Sequence, residues 1–241
     1  MNRNFLAKEI AEYCMLNLDL NRTLPDDYYY QSLPLCIIDS VFSINANYNS
    51  TRNTVHRFCN YFNIFPVYSR ERLPTVKQLS ISQFLTMTRK YSIDDLAGKI
   101  YQNHQRTSTR NGILKAEAVN LFVSAIVKYQ VDFFQDVDRI IGNPNFERDI
   151  ARIPGQGSGI TTNYFYMLAG SDEYVKPDRM VLRFIGNATH MSFGNEACQD
   201  LLKMSQKVLF KDHPQLTPRT LDYLIWDFQK KEGKIKTEID I

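Results

Sequence analysis

Ile150-Ala151-Arg152-Ile153-Pro154-Gly155-Gln156-Gly157-Ser158-Gly159-Ile160-Thr161-Thr162-Asn163-Tyr164-Phe165-Tyr166-Met167-Leu168 is the stretch whose reading decides the fold. A helical run ends before Pro154, three closely spaced glycines make a tight turn, and a second apolar run opens a new helix at Ile160. Glycine lets the backbone approach another surface closely, and free N–H groups at the start of a helix favour an anion such as phosphate. Taken alone, Pro-Gly-x-Gly is short enough to be an ordinary helix–helix connection, and both readings stay open at this point.

The same helical period extends outward in both directions. Leu6, Ile10, Tyr13 and Leu16 fall three or four apart, as do Leu114, Ala118, Leu121 and Ala125, while alternating strand patterns are scarce. Helix starts are marked by Ser92 with Asp95 at capping-box spacing, by Thr217-Pro218 ahead of Leu221, Leu224, Ile225 and Phe228, and by Gly194. The expectation is an all-α protein of about ten helices. Asp19 to Pro34, Phe65 to Ser80 and Gln102 to Gly112 are the irregular stretches, expected as surface loops. No Pro/Ser-rich linker and no repeat divides residues 1–241, which are read as a single unit.

A length of 241 residues and 44% hydrophobic residues suffice for a sizeable core. Cys14, Cys36, Cys59 and Cys198 stand singly, without a C-x-x-C pair, and are read as buried or free thiols of a cytoplasmic protein. A formal charge of +3 is compatible with a polyanionic partner but decides nothing. No apolar run is long enough to span a membrane, so no membrane partner is expected.

Past the glycine turn comes Val175-Lys176-Pro177-Asp178-Arg179-Met180-Val181-Leu182-Arg183-Phe184. Asp178 sits where a helix should begin, which makes it an N-cap. The helix dipole favours a carboxylate there, and such a carboxylate can also stabilise a cationic sugar or activate water. The cap and the chemical role do not compete.

Together, the Ile153-Pro154-Gly155-Gln156-Gly157 turn and Asp178 resemble the signature of the helix-hairpin-helix DNA glycosylases, which include endonuclease III, the mismatch adenine glycosylase and 8-oxoguanine glycosylase. The resemblance runs from near Pro34 to near His190. It implies two interleaved helical lobes with the active-site cleft between them, a hairpin over 150–168, and a catalytic helix starting within 176–184. Upstream, Ile37-Ile38-Asp39-Ser40-Val41-Phe42-Ser43-Ile44-Asn45-Ala46-Asn47 looks like the helix and loop that push an amide into the base stack, with Asn45 at the amide position. Without the family, Asn45 to Ser50 is simply a turn, since Asn and Ser favour turns. Arg110-Asn111-Gly112-Ile113-Leu114-Lys115-Ala116-Glu117-Ala118 resembles the helix start that precedes the hairpin in some members.

The departures from the family are informative. Members that also cleave the strand carry a lysine just after the hairpin, and here that position is Gly159. The resemblance therefore implies a monofunctional enzyme without lyase activity. Lys176, the nearest substitute, is expected to point elsewhere as a solvated charge. Only Cys198 stands where several members place closely spaced cluster cysteines, so no iron–sulfur cluster and no other cofactor is expected. The family leaves room for a monovalent cation at the hairpin. Trp226 is expected in the core.

The activity so implied is removal of a damaged or modified base from double-stranded DNA by a monomer, leaving an abasic site. Asp178 would be the catalytic residue. Asn45, with Asn47 and Tyr48, would fill the gap left by the extruded nucleotide, and backbone amides of Gly155, Gly157 and Gly159, with Gln156 and Ser158 between them, would grip a phosphate. Arg52, Arg110, Lys115 and Arg179 would add phosphate contacts. The Tyr28-Tyr29-Tyr30 run, Tyr48 and Tyr164 could stack a base, but most are read as packing. Two settings fit the family, repair of oxidised, alkylated or mismatched bases and defence against phage DNA with modified bases such as glucosylated hydroxymethylcytosine. The missing cluster leans towards defence. A non-catalytic hairpin protein that only binds DNA, and a helical interaction protein, are the rival readings.

Overall fold

The computed structural model describes residues 2–239, with side-chain surroundings through residue 232. Met1, Asp240 and Ile241, the ends of the 1–241 unit, lie outside the described residues. The helices run in the order α1 (Arg3–Asn17), α2 (Leu33–Phe42), α3 (Tyr48–Tyr61), α4 (Ile81–Thr88), α5 (Ile93–Asp95), α6 (Lys115–Lys128), α7 (Pro144–Ala151), α8 (Ile160–Leu168), α9 (Arg179–Thr189), α10 (Asn195–Leu209) and α11 (Pro218–Ile239). Among the described residues no strand forms, and the pairing that occurs is limited to isolated bridges such as Tyr30 with Tyr68 and Arg106 with Leu114. The protein is all-α. Its chain divides into two compact units, Pro25–Gly170 and the combination of Met1–Leu24 with Ser171–Ile241.

The Pro25–Gly170 unit is organised on α2, every residue of which is buried. Ser32 caps its start and Pro34 lies in its first turn, where the missing N–H costs nothing. The helix packs on α3, α6 and α8. Two of the irregular stretches are pinned to each other beside it, through Gln31 N–H to Val67 O (2.9 Å) and Ser69 N–H to Tyr29 O (2.9 Å). At its far end α2 has no glycine cap. Instead the ammonium of Lys115, buried at 2% exposure, donates to Phe42 O (2.9 Å), Ile44 O (2.7 Å) and Gln105 Oε1 (3.0 Å). A cation is favoured at a helix C-terminus, where carbonyls lack intrahelical partners. This overturns the expectation that Lys115 contacts phosphate, because its charge is enclosed and its N–H groups are spent on the protein's own oxygens.

In the other unit, α1 packs on α9 and α10, and α9 packs on α11. Tyr13 meets Phe184 edge-on at 4.9 Å, and Phe184 meets Phe228 at 5.9 Å. The buried face of α1 is Leu6, Ala7, Ile10, Ala11 and Cys14, while Leu16 is 83% exposed. The face is thus rotated from the one that Leu16 suggested. Small residues, Ala7, Ala11 and Cys14, let α1 sit close against its neighbours, and those carry no periodic signal by bulk. Trp226 is half-exposed rather than core, stacked on Tyr223 with the Lys230 ammonium 4.6 Å from its ring centre.

All four cysteines are free and buried, and burial pushes the thiols of Cys59 and Cys198 up to about 12, as for small core hydrophobes. No helix among the described residues is long and apolar enough to cross a membrane.

Lys115→Met keeps the apolar stem but leaves the α2 carbonyls and Gln105 without their charged donor. Removing the desolvated charge is favourable, but orphaned buried acceptors cost about 1–3 kcal/mol each, so the net expectation is a loss of roughly 2 kcal/mol. Urea denaturation checks it, and a variant as stable as the parent would contradict this role for Lys115.

Candidate functional site

In the Pro25–Gly170 unit the predicted residues gather through a short chain of contacts. α7 begins at Pro144 behind the Asn143 cap, whose Oδ1 accepts from Asn145 N–H (3.0 Å) and Phe146 N–H (3.3 Å). It ends at Ala151, and the chain turns through 152–159 into α8. Ile153 is buried, whereas Pro154, Gly155, Gly157 and Ser158 are exposed.

The three glycines of the turn do different work. Gly155 has φ +82°, and a Cβ there would stand 2.6 Å from Thr107 Cβ. Its close approach is therefore made to the protein's own 101–114 loop. Gly159 has φ +73° and a Cβ there would meet nothing within 4 Å, so this position looks into open space. Gly157 has an ordinary conformation.

Gln156 is a second correction. Its side chain is buried, its Oε1 accepts the Thr161 hydroxyl, and its N–H is taken by Ile153 O (2.9 Å), so it holds the turn together and does not face outward. The Gly159 N–H is likewise taken, by Gln156 O at 3.3 Å. By contrast, the N–H groups of Gly157 and Ser158 have no acceptor among the described residues. α8 has no side-chain cap, and Ile160 N–H reaches only Ser158 Oγ, at 3.5 Å. The start of α8 thus keeps donors exposed that Asn143 satisfies at α7. A monovalent cation at this turn would need backbone carbonyls, and those of Ile153 and Gln156 already accept N–H groups.

The 101–114 loop that meets Gly155 is tied to α2 by Lys115. Lys115 N–H donates to Gln105 O (2.8 Å), Thr107 N–H donates to Ile113 O (2.9 Å), and Arg106 clamps Gly112 O (2.7 Å). Arg110 is exposed at the tip of this loop. The Lys115 ammonium on Ile44 O abuts the 43–47 turn, where Asn45 is exposed with φ 51°. Asn47 serves as the N-cap of α3, accepting Asn49 N–H at 2.9 Å, and Tyr48 is half-buried and parallel to Tyr28 with ring centres 6.5 Å apart. The Asn45 turn, the 101–114 loop and the glycine turn therefore belong to one connected framework. Arg52 is exposed on α3.

Asp178 and Arg179 lie in the other unit. Asp178 caps α9, its Oδ1 accepting Met180 N–H (2.8 Å) and Val181 N–H (3.4 Å), and Arg179 is exposed. The second oxygen, Oδ2, stands 3.9 Å from the ammonium of Lys176, whose side chain is only 13% exposed. Lys176 therefore does not point away as a solvated charge. Proline at 177 and the tight return of Asp178 N–H to Lys176 O (2.6 Å) fold the two side chains together.

One neighbour escaped the sequence reading. Asp222 on α11, 6% exposed, accepts Lys176 N–H through Oδ1 at 2.8 Å. Burial, reinforced by the nearby Asp178 charge and opposed by Lys176, pushes its carboxyl up to about 8. Its signal was an aspartate inside the apolar run Leu221 to Ile225.

With this geometry in hand, comparison with known proteins gives one match. The family model described as "Domain of unknown function (DUF8548)" matches residues 8–230, and the chain belongs to that family. Neither a curated protein nor a solved structure matches it.

Because folded Asp222 keeps its proton up to about 8, while an unfolded aspartate releases it near ~4, its neutral form contributes most to stability in acid. That contribution is lost as pH rises through this window. Asp222→Asn stays neutral and keeps an oxygen for Lys176 N–H, so its stability relative to the parent should climb between pH ~5 and ~8, by a few kcal/mol at most. Parallel stability–pH profiles for the two proteins would refute the raised carboxyl.

Proposed function

We propose that the protein is a monofunctional DNA glycosylase that extrudes a modified base from duplex DNA and hydrolyses its N-glycosidic bond. The observation that carries the reading is the Asp178 carboxylate, fixed through one oxygen by two N–H groups while the other oxygen is left to a single ammonium at 3.9 Å. Preorganised negative charge of this kind stabilises the positive charge that builds on deoxyribose as the bond to the base stretches, and it orients the attacking water.

Further support comes from the glycine turn, whose unsatisfied N–H groups at Gly157 and Ser158 suit a phosphate. The exposed Asn45, at the tip of a turn whose base is locked by Lys115, suits the gap left in the stack. Arg110, Arg52 and Arg179 are the exposed cations assigned to phosphates, and Lys115 is withdrawn from that set. The hairpin lies in the Pro25–Gly170 unit and Asp178 in the other. Defence against phage DNA is kept as the setting, with repair of damaged bases the alternative to be separated by substrate.

The rival is a non-catalytic DNA-binding protein, favoured by the fact that Asp178 already has a structural task as a helix cap. Asn is an equally good cap, so Asp178→Asn separates the two. Labelled duplexes carrying normal, damaged and glycosylated bases, treated with alkali after incubation, should be cut at the released base by the parent. The variant should be slower by about a hundredfold or more with unchanged melting temperature. Binding without alkali-sensitive sites across the whole panel would establish the rival.

The Gly159 environment gives a second test. Gly159→Lys would place an amine in open space at a left-handed residue, a strain of about 1–2 kcal/mol. The variant should form a borohydride-trappable adduct with abasic DNA that the parent does not form. A parent that is itself trapped, and released from trapping by Lys176→Gln, would make it a lyase and overturn the monofunctional reading.

A further inference from the structure

α2 carries one carboxylate into the core of the Pro25–Gly170 unit. Asp39 is 2% exposed, beside Ser40 within the mainly apolar run Ile37 to Phe42. The Tyr30 hydroxyl donates to its Oδ2 at 3.0 Å. Tyr68 packs on Tyr30 with ring centres 5.2 Å apart, and Tyr48 lies parallel to Tyr28. Tyr164, on the α8 that follows the glycine turn, lies within electrostatic reach of Asp39, Tyr28, Tyr30 and Tyr48. The pinned stretches described above, 29–31 against 67–69, are what bring Tyr30 and Tyr68 to α2.

This is an unusual way to fill a core. Four phenols, Tyr30, Tyr48, Tyr68 and Tyr164, lie within reach of one carboxylate, with Tyr28 stacked on Tyr48, and the cluster grades from buried, at Tyr30, Tyr164 and Asp39, to half-buried, at Tyr28, Tyr48 and Tyr68. Phe would pack as well without hydroxyls to satisfy. Tyr48 also opens α3 directly after the Asn45 turn. An aromatic cluster with a few convergent polar groups is the make-up of a site that stacks a planar ring and reads its edge.

We propose that the Asp39–tyrosine cluster is the reader of the extruded base, and that the base it selects has the edge of cytosine, including its 5-substituted forms. This rests on the glycosylase reading above. The cytosine edge offers one donor, the exocyclic amino group, beside two acceptors, the ring nitrogen and the carbonyl oxygen. A carboxylate with several acceptor positions matches the donor, and neutral phenols match the acceptors. Burial and the Asp39 charge push the phenols of Tyr48 and Tyr164 up, so they stay protonated, while the Tyr30 proton is held by Asp39. Uracil and thymine present a carbonyl where cytosine has its amino group, and that oxygen would face the carboxylate without a proton between them.

The test uses the full chain and two duplexes identical except for one base, 5-hydroxymethylcytosine or 5-hydroxymethyluracil, which share the 5-substituent and differ at the edge. Binding is measured with Asp178→Asn protein by fluorescence anisotropy, and base release with the parent by alkali cleavage. The cytosine duplex should be preferred by about tenfold or more, with Asp39→Asn bringing the ratio close to unity. Should Asp39→Asn not fold, Tyr48→Phe, which keeps the half-buried ring and removes one hydroxyl, should narrow the ratio several-fold. Equal binding of the two duplexes, binding of neither, or a preference unmoved in a folded variant overturns the proposal. Base release without this preference sinks the proposal alone. Preferential binding with no release from any duplex sustains it and sinks the glycosylase reading instead.

Discussion

The framework of the Pro25–Gly170 unit depends on a single enclosed charge. By donating to Phe42 O and Ile44 O, Lys115 ends α2 and sets the path of the chain into the Asn45 turn. Through Gln105, it also fixes the base of the loop that carries Thr107, and Thr107 in turn leaves room only for glycine at 155. Enclosing an ammonium is costly unless its N–H groups are all satisfied, and here the acceptors are helix-end carbonyls that would otherwise be orphaned themselves. Two unfavourable features cancel, and three separated stretches of sequence acquire fixed positions.

Around that framework, polar groups fall into two kinds. Asn143, Asn47 and Asp178 are caps whose oxygens are spent on N–H groups of their own helices. Among the described residues, capacity is left over at the start of α8 and at the second oxygen of Asp178. Gln156 and Lys115 are enclosed and spent on the protein's own groups, while Asp39 and Asp222 are carboxyls retained in helix faces at a cost in solvation.

Much of this was legible in the sequence. The helical period, the Ser92 and Thr217 starts, the loops and the glycine turn all follow from local rules, and local rules govern helices. The α1 face was misjudged because Ala7, Ala11 and Cys14 pack by being small, whereas Leu16 advertised a burial it does not have. Lys115, Lys176 and Trp226 were misjudged for a different reason. A long side chain reads as surface or core by type, and only tertiary partners reveal that Lys115 lies under α2 or that Trp226 lies along the outside of α11 under Lys230. The aspartates inside Ile37 to Phe42 and Leu221 to Ile225 were visible signals, since a charge within an apolar helix face needs a reason.

The assignment of residues 1–24 to the same unit as residues 171–241 has a consequence in time. During synthesis α1, with Leu6, Ile10 and Cys14 on one face, leaves the ribosome well before α9 and α10, the helices it packs on. The intervening 146 residues of Pro25–Gly170 can complete their own core while α1 waits. Contacts of such long sequence separation form late and slowly. While the Pro25–Gly170 unit is being made, the nascent chain therefore carries a sticky, unpartnered helix face that the cell's chaperones can meet.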